Sequence, residues 1–243
     1  MPSLEIFKAR DGTEIPLVPV PFCHYCSMPL KDTYGRWGLC RRCSDRFRAL
    51  RRENPGRSYV SPYSFTRAVA AGLYITDSPE KGTVGRLIKG LKALGLFFEV
   101  LADAVVHVLR TRGPEISWDV IVAVPASPGV TYSPASMLAK ELGERTRTPN
   151  PTALKLDPSY VSGQALPEPQ KFDNMRDKVR VAERIEIRGM RILLVDDIMM
   201  TGGAAHWCAG ELLKAGAKVV HVAVVGRGID LKELEFIGYS GPL

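Results

Sequence analysis

The sequence predicts an α/β protein, a parallel sheet flanked by helices, with a small zinc ribbon at its N-terminus. Three observations predict it: the order strand, helix, strand, helix, strand over residues 119–225, the branched apolar runs within those strands, and two Cys-x-x-Cys pairs near the start of the chain. Strands buried on both faces read as nearly continuous apolar runs, and the helices between them supply the crossovers that a parallel sheet requires.

Composition sets the class. The chain has 243 residues, 45% hydrophobic and 24% charged, which is the composition of a soluble globular protein. Its longest apolar segment, near Leu94 to Leu109, is interrupted by Glu99, Asp103 and His107 and falls short of the roughly 20 apolar residues of a membrane span, so no membrane partner is expected. The first residues carry charges where a secretory signal would place its apolar core, and the expected location is cytoplasmic. The net charge is +7; residues 1–57 hold 11 basic and 6 acidic side chains, residues 58–243 hold 22 and 20. The positive charge thus belongs mainly to the N-terminal part and suits a phosphorylated or polyanionic ligand.

Two domains are expected, residues 1–57 and 58–243, with the boundary at the turn Asn54-Pro55-Gly56. Residues 1–18 read as an exposed arm or a short hairpin around Asp11-Gly12, and their alternation is too weak to decide. Arg41 to Arg52 reads as a short helix. Ala68 to Thr76 is strand-like, and Val84 to Arg110 has the apolar spacing of one or two amphipathic helices, with a break at Gly95. Strands follow at Asp119–Val124, Arg191–Val195 and Lys218–Val225, with crossover helices at Pro134–Arg147 and Gly203–Ala215. The stretch Pro149 to Arg180 has no clear period and is expected to include a long loop, of which Lys155 to Asn174 is a candidate lid.

Cys23, Cys26, Cys40 and Cys43 form two knuckles 13 residues apart, a spacing that lets four thiolates surround one Zn²⁺. Four sulfurs leave no position for water, so such a metal is structural, and His24 inside the first knuckle is expected to point outward. The arginines 41, 42, 46, 48, 51, 52 and 57 either contact nucleic-acid phosphates or form a solvated or packed helix face; Tyr34, Trp37 and Phe47 either stack on bases or make the core of the module. Cys208 reads as a buried thiol, and His107 and His221 as structural. His206 either touches a ligand or is a polar first-turn residue.

The most informative segment is Ile192 to Ala204, an apolar strand that ends in Asp196 and Asp197 and turns through Gly202 and Gly203 into a helix. The carboxyl end of a strand in an open α/β sheet is where ligands sit, and a glycine turn presents backbone N–H groups at a helix N-terminus, where phosphate is favoured. Carboxylates repel phosphate, so the two acids should address another part of the ligand, such as vicinal hydroxyls.

This segment resembles the phosphoribosyl pyrophosphate signature of type I phosphoribosyltransferases. The resemblance implies that Asp196 and Asp197 bind ribose hydroxyls as the catalytic pair. It also implies that Ile198, Met199, Met200, Thr201, Gly202, Gly203 and Ala204 wrap the 5-phosphate. With the cysteines, the chain resembles the ComF family of phosphoribosyltransferase-like proteins, which join a four-cysteine zinc ribbon to this fold and are linked to DNA uptake. Further similarities are Arg86 to Lys92, Val122 to Pro128 and Arg176 to Val179. By the same resemblance Ala126, Ser127 and Gly129, with Lys92 or Lys89, would address pyrophosphate, and Mg²⁺ would accompany it. Three features depart from the pattern: Met200 and Ala204 stand where threonines are usual, and Gly129 to Ser136 lacks the basic pattern of the family. Two readings follow: an enzyme transferring phosphoribosyl to a nitrogenous base, or a non-catalytic protein that senses a nucleotide and contacts nucleic acid. Both allow a homo-oligomer.

Overall fold

The computed structural model describes residues 5–30, 38–53, 61–79, 81–130, 132–160, 166–182 and 185–239. The boundary expected after residue 57, together with Tyr34, Trp37 and Arg57, lies outside them.

The chain opens with a hairpin, β1 (Ile6–Lys8) against β2 (Glu14–Pro16). Asp11 Oδ1 accepts from the Thr13 N–H at 2.9 Å within the turn. Ile15 and Leu17 are fully buried, and Leu17 bridges Gly72, so this segment is part of the core and not an exposed arm. A Cβ on Gly72 would lie 2.7 Å from the Pro16 carbonyl oxygen; the hairpin's close approach needs glycine there.

The following elements are α1 (Arg41–Glu53), β3 (Arg67–Ile75), α2 (Gly82–Leu94), α3 (Phe98–Arg112), β4 (Val120–Ala123), α4 (Pro134–Thr146), β5 (Leu154–Leu156), α5 (Glu168–Asp173), β6 (Val179–Val181), β7 (Arg191–Met199), α6 (Gly203–Lys214), β8 (Val219–Ile229) and α7 (Leu231–Ile237). Strands β3, β8, β7 and β4, in that order, make one parallel four-stranded sheet. Strand alternation splits its apolar residues between two faces. Ile192 and Leu194 join α6, the cysteine segment and α7 on one side, while Leu193 and Val195 join α2, α3 and α4 on the other. Both faces are covered, which is why the strands read as unbroken apolar runs. The break between α2 and α3 falls at Gly95, in the left-handed conformation at φ 65°. Among the described residues no helix is long and apolar enough to cross a membrane.

Two elements differ from expectation. Strand β7 does not end before the acid pair: β8 runs on through Gly226-Arg227-Gly228, so Asp196, Ile198 and Met199 still have ladder partners in Val224, Gly226 and Arg227. The stretch 149–180 is more structured than its sequence suggests, because β5 and β6 pair antiparallel and α5 lies between them. These strands are three residues each, too short to show a period.

Candidate functional site

Helix α4 and helix α6 pack on opposite faces of the sheet, so the chain leaves the carboxyl ends of the neighbouring strands β4 and β7 in opposite directions. Such switch points are where open α/β sheets bind ligands. A cleft of about 800 Å³ opens beside this point, over the ends of β7, β8 and β3. Every residue from Asp196 to Ala204 lines it, with Lys92 from α2 and Tyr74 and Thr76 from β3.

The acid pair sits on the strand, not in the loop. Asp196 Oδ1 accepts from the Asp197 N–H at 2.9 Å, and Lys92 Nζ lies 2.6 Å from Asp197 Oδ2. Burial, and then the charge of Asp197 beside it, raises the Asp196 carboxyl well above the usual carboxylate range. A protonated Asp196 repels an anionic ligand less and can itself donate a hydrogen bond. Burial works against the Lys92 ammonium, but Asp197 and Asp196 outweigh it and hold its pKa above the ordinary lysine value. The site therefore pairs one cation with two acids at the mouth of a glycine turn.

The turn has few degrees of freedom. Gly202 caps α6 at φ 80°, with no side-chain cap on the helix, a conformation costly for any residue with a Cβ. The Gly203 N–H donates to Thr201 Oγ1 at 3.2 Å, so this hydroxyl is engaged at the helix start. A Cβ on Gly203 would meet the Phe172 carbonyl oxygen at 2.3 Å. The backbone of α5 thus lies directly on the turn, tied there by the Trp207 Nε1–H donating to the same oxygen at 2.9 Å. Tyr160, Lys171, Asn174 and Met175 from this covering segment also line the cleft.

Other expected residues fall elsewhere. Ala126 and Ser127 do not line the cleft: β4 ends at Ala123, opposite Val195, and puts its following turn on the side of β7 away from β8. Gly129 is exposed there. Lys89 Nζ donates to the Pro79 carbonyl at 2.7 Å on the surface. His206 turns away from the cleft; its Nδ1 accepts from the Ser64 N–H at 2.9 Å amid Tyr63, Phe172 and Trp207. Cys208 and His221 are buried. His107 is partly exposed and sits 3.3 Å from Glu5 Oε1.

The four cysteines converge as their spacing requires. All are buried, and their sulfurs lie within 4.8 Å of one another, with Cys26 Sγ 3.5 Å from Cys40 Sγ. A tetrahedral zinc tetrathiolate separates its sulfurs by roughly 3.8 Å, so the donor set fits such an ion in both chemistry and size. His24 is exposed, its ring edge-on to Tyr25. The first knuckle is fastened to β3 through Ser27 Oγ donating to the Ala68 carbonyl and the Ala68 N–H donating to Tyr25 O.

Sequence reasoning missed Arg227. It is 1% exposed, and its Nη1 donates to the carbonyls of Met199, Met200 and Gly228 at 2.6, 2.6 and 2.8 Å. The signal was available: one charge between two glycines at the end of an otherwise apolar strand is out of place unless it is bonded.

Comparison with known proteins matches residues 115–235 to the phosphoribosyl transferase domain. An adenine phosphoribosyltransferase from Frankia alni is 31% identical over 191 residues, 75% of this chain and 87% of that protein. The chain belongs to the phosphoribosyltransferase family. The adenine phosphoribosyltransferase of Prosthecochloris aestuarii is 27% identical over 68% of this chain and 89% of its own length. That of Nocardia farcinica is 46% identical, but over 22% of this chain and 25% of its own length. Among solved structures, the Saccharomyces cerevisiae adenine phosphoribosyltransferase superposes with a TM-score of 0.38 at 18% identity, over 61% of this chain and 74% of that one. The phosphoribosyltransferase segment includes β4, β7, α6 and β8, and with them the acid pair and the glycine turn.

Proposed function

We propose that this protein binds Mg²⁺-phosphoribosyl pyrophosphate, or a nucleotide 5-phosphate, over Asp196, Asp197 and the turn to Ala204, and transfers phosphoribosyl to a nitrogenous base. The observation that carries the reading is the acid pair on β7 beside a glycine-capped helix start, in one cleft with Lys92. The α6 N-terminus and the amides of Gly202 and Gly203 suit the 5-phosphate. Asp196 and Asp197 suit the ribose hydroxyls, and Lys92 suits a pyrophosphate oxygen while holding Asp197 in place. Mg²⁺, bound with the pyrophosphate, supplies neutralisation of the leaving group. The base nitrogen attacks C1, the C1–O bond to pyrophosphate breaks, and the chain contributes positioning and electrostatics as positive charge develops on the sugar. A ligand reaching Ala126 and Ser127 would have to extend across β7.

Met200 and Ala204 supply no hydroxyl. Two absent hydrogen bonds, at about 0.5–1.5 kcal/mol each, weaken phosphate binding roughly tenfold or more and leave the amides in place. The test is pyrophosphate release from phosphoribosyl pyrophosphate with Mg²⁺ and a panel of bases; release with at least one base is expected, and none with any base leaves binding alone.

We further assign the chain to the ComF-type arrangement, with residues 1–57 as an N-terminal arm and zinc-ribbon module and 58–243 as the transferase-like domain, acting in the cytoplasm. The pairing of a four-cysteine cluster with this domain in one chain supports it. A second reading, nucleic-acid contact through α1, is favoured by the exposure of Arg41, Arg48, Arg51 and Arg52. Arg42 and Arg46 are engaged elsewhere, with Glu233 and the Pro62 carbonyl. Salt-sensitive binding of single-stranded DNA, lost on replacing those four exposed arginines, is its mark.

A further inference from the structure

Arg227 lies between two features that the function does not obviously connect. One side of its guanidinium holds the carbonyls of Met199 and Met200, where β7 becomes the turn. Two residues along the same face of β8, Ile229 lines a small pocket with Met28 and Cys40 and shares their core; burial works against the Arg227 charge, and Cys26, Tyr63 and Cys40 favour it and keep its pKa raised. Four thiolates around a divalent ion form a doubly negative centre, and a buried arginine bonded only to carbonyls needs a compensating charge. Each therefore supplies what the other lacks. A second connection runs in parallel: Cys43 Sγ lies 3.9 Å from the Tyr63 hydroxyl, and the Tyr63 ring packs on the Gly202 backbone, 3.1 Å from where a Cβ would stand. Tyr63 is itself stacked on Phe65 at 4.6 Å, which fixes its plane.

We propose that Arg227 is a positioning residue that couples the four-cysteine metal centre to the turn Met199–Gly202, with Tyr63 as a second tether, so that metal occupancy sets the order of that turn. The consequence for ligand affinity rests on the reading of the turn as a phosphate cradle; the coupling itself does not.

The test is amide hydrogen exchange on the full chain as purified, after its zinc content has been measured, and again after chelation. Exchange over 199–203 is expected to rise by about tenfold or more, the loss of one charge-assisted hydrogen bond, while β4 stays protected. A rise confined to 23–43, or one of equal size over the whole chain, overturns the coupling. In Arg227→Met the turn should already exchange fast, and chelation should add little; Arg227→Lys, which keeps the charge and a donor, should recover part of the protection and part of the metal response. Additive effects of Arg227→Met and chelation would mean that the arginine is only a structural bond. Where Arg227→Met does not fold, Arg227→Lys and Tyr63→Phe decide the matter, since each must reduce the response of 199–203 to chelation. Titration of phosphoribosyl pyrophosphate with Mg²⁺ into the same samples separates the two claims. A metal-dependent turn in a protein that binds no ligand keeps the coupling and rejects the phosphate reading; tight binding by a protein whose turn exchange chelation leaves unchanged does the reverse.

Discussion

His206 shows how a residue beside the cleft serves the fold. Its neutral ring accepts a hydrogen bond from Ser64, and burial together with the charges of Arg46 and Arg176 holds its pKa at about 4. In the unfolded chain the ring titrates near its ordinary 6.5 and takes up the proton first as pH falls. Its contribution to stability is therefore complete above about pH 6.5 and lost as pH falls to about 4, to the extent of about 3 kcal/mol. His206→Asn keeps an acceptor that does not titrate, so denaturation midpoints measured across this window should fall less in the variant than in the wild type. Equal slopes would contradict the assignment. The sequence left His206 undecided between ligand and fold because position alone, one turn into α6, does not say which way a ring faces. That Asp196 and Asp197 line the cleft was readable, since two adjacent acids after an apolar run have few structural uses. Arg227 escaped because the apolar run ends at Val225, four residues before β8 does.

At the scale of elements, the covering segment and the glycine turn are one unit. Gly203 has no room for a side chain because α5 lies on it, and Trp207 bonds to the same carbonyl. Gly203→Ala must lift α5 from the turn at a cost of about 1–3 kcal/mol. Protease cutting within 166–176 should rise sharply in this variant while the sheet remains intact; unchanged cutting would show that α5 does not depend on this contact. The strands β3, β4, β7 and β8 were all visible as apolar runs, because burial on both faces imposes that composition. The pairing of β5 and β6 was not, since three-residue strands around a segment that holds three prolines have no period to detect. The N-terminal hairpin around Asp11-Gly12 was one of two readings left open, and its burial escaped for another reason: it comes from packing on Gly72 and α2, about 60 residues away, which local alternation cannot reveal.

At the scale of the molecule, the cysteine cluster, the sheet and the cleft share one apolar core. Cys23, Cys26, Cys40 and Cys43 pack with Tyr63, Leu194 and Val224 on the same face as α6. The sequence located the cluster by its spacing and the cleft by its acids, but the contact between them is a tertiary fact, made by β8 and by the residues before β3. The proposed function requires that the acid pair and the turn bind a phosphoribosyl group. Calorimetric titration of phosphoribosyl pyrophosphate with Mg²⁺ into the wild type and into Asp196→Asn/Asp197→Asn tests it most directly. Saturable binding to the wild type is expected, lost in the double variant while its thermal unfolding stays cooperative. Equal binding to both proteins, or none to the wild type, would contradict it.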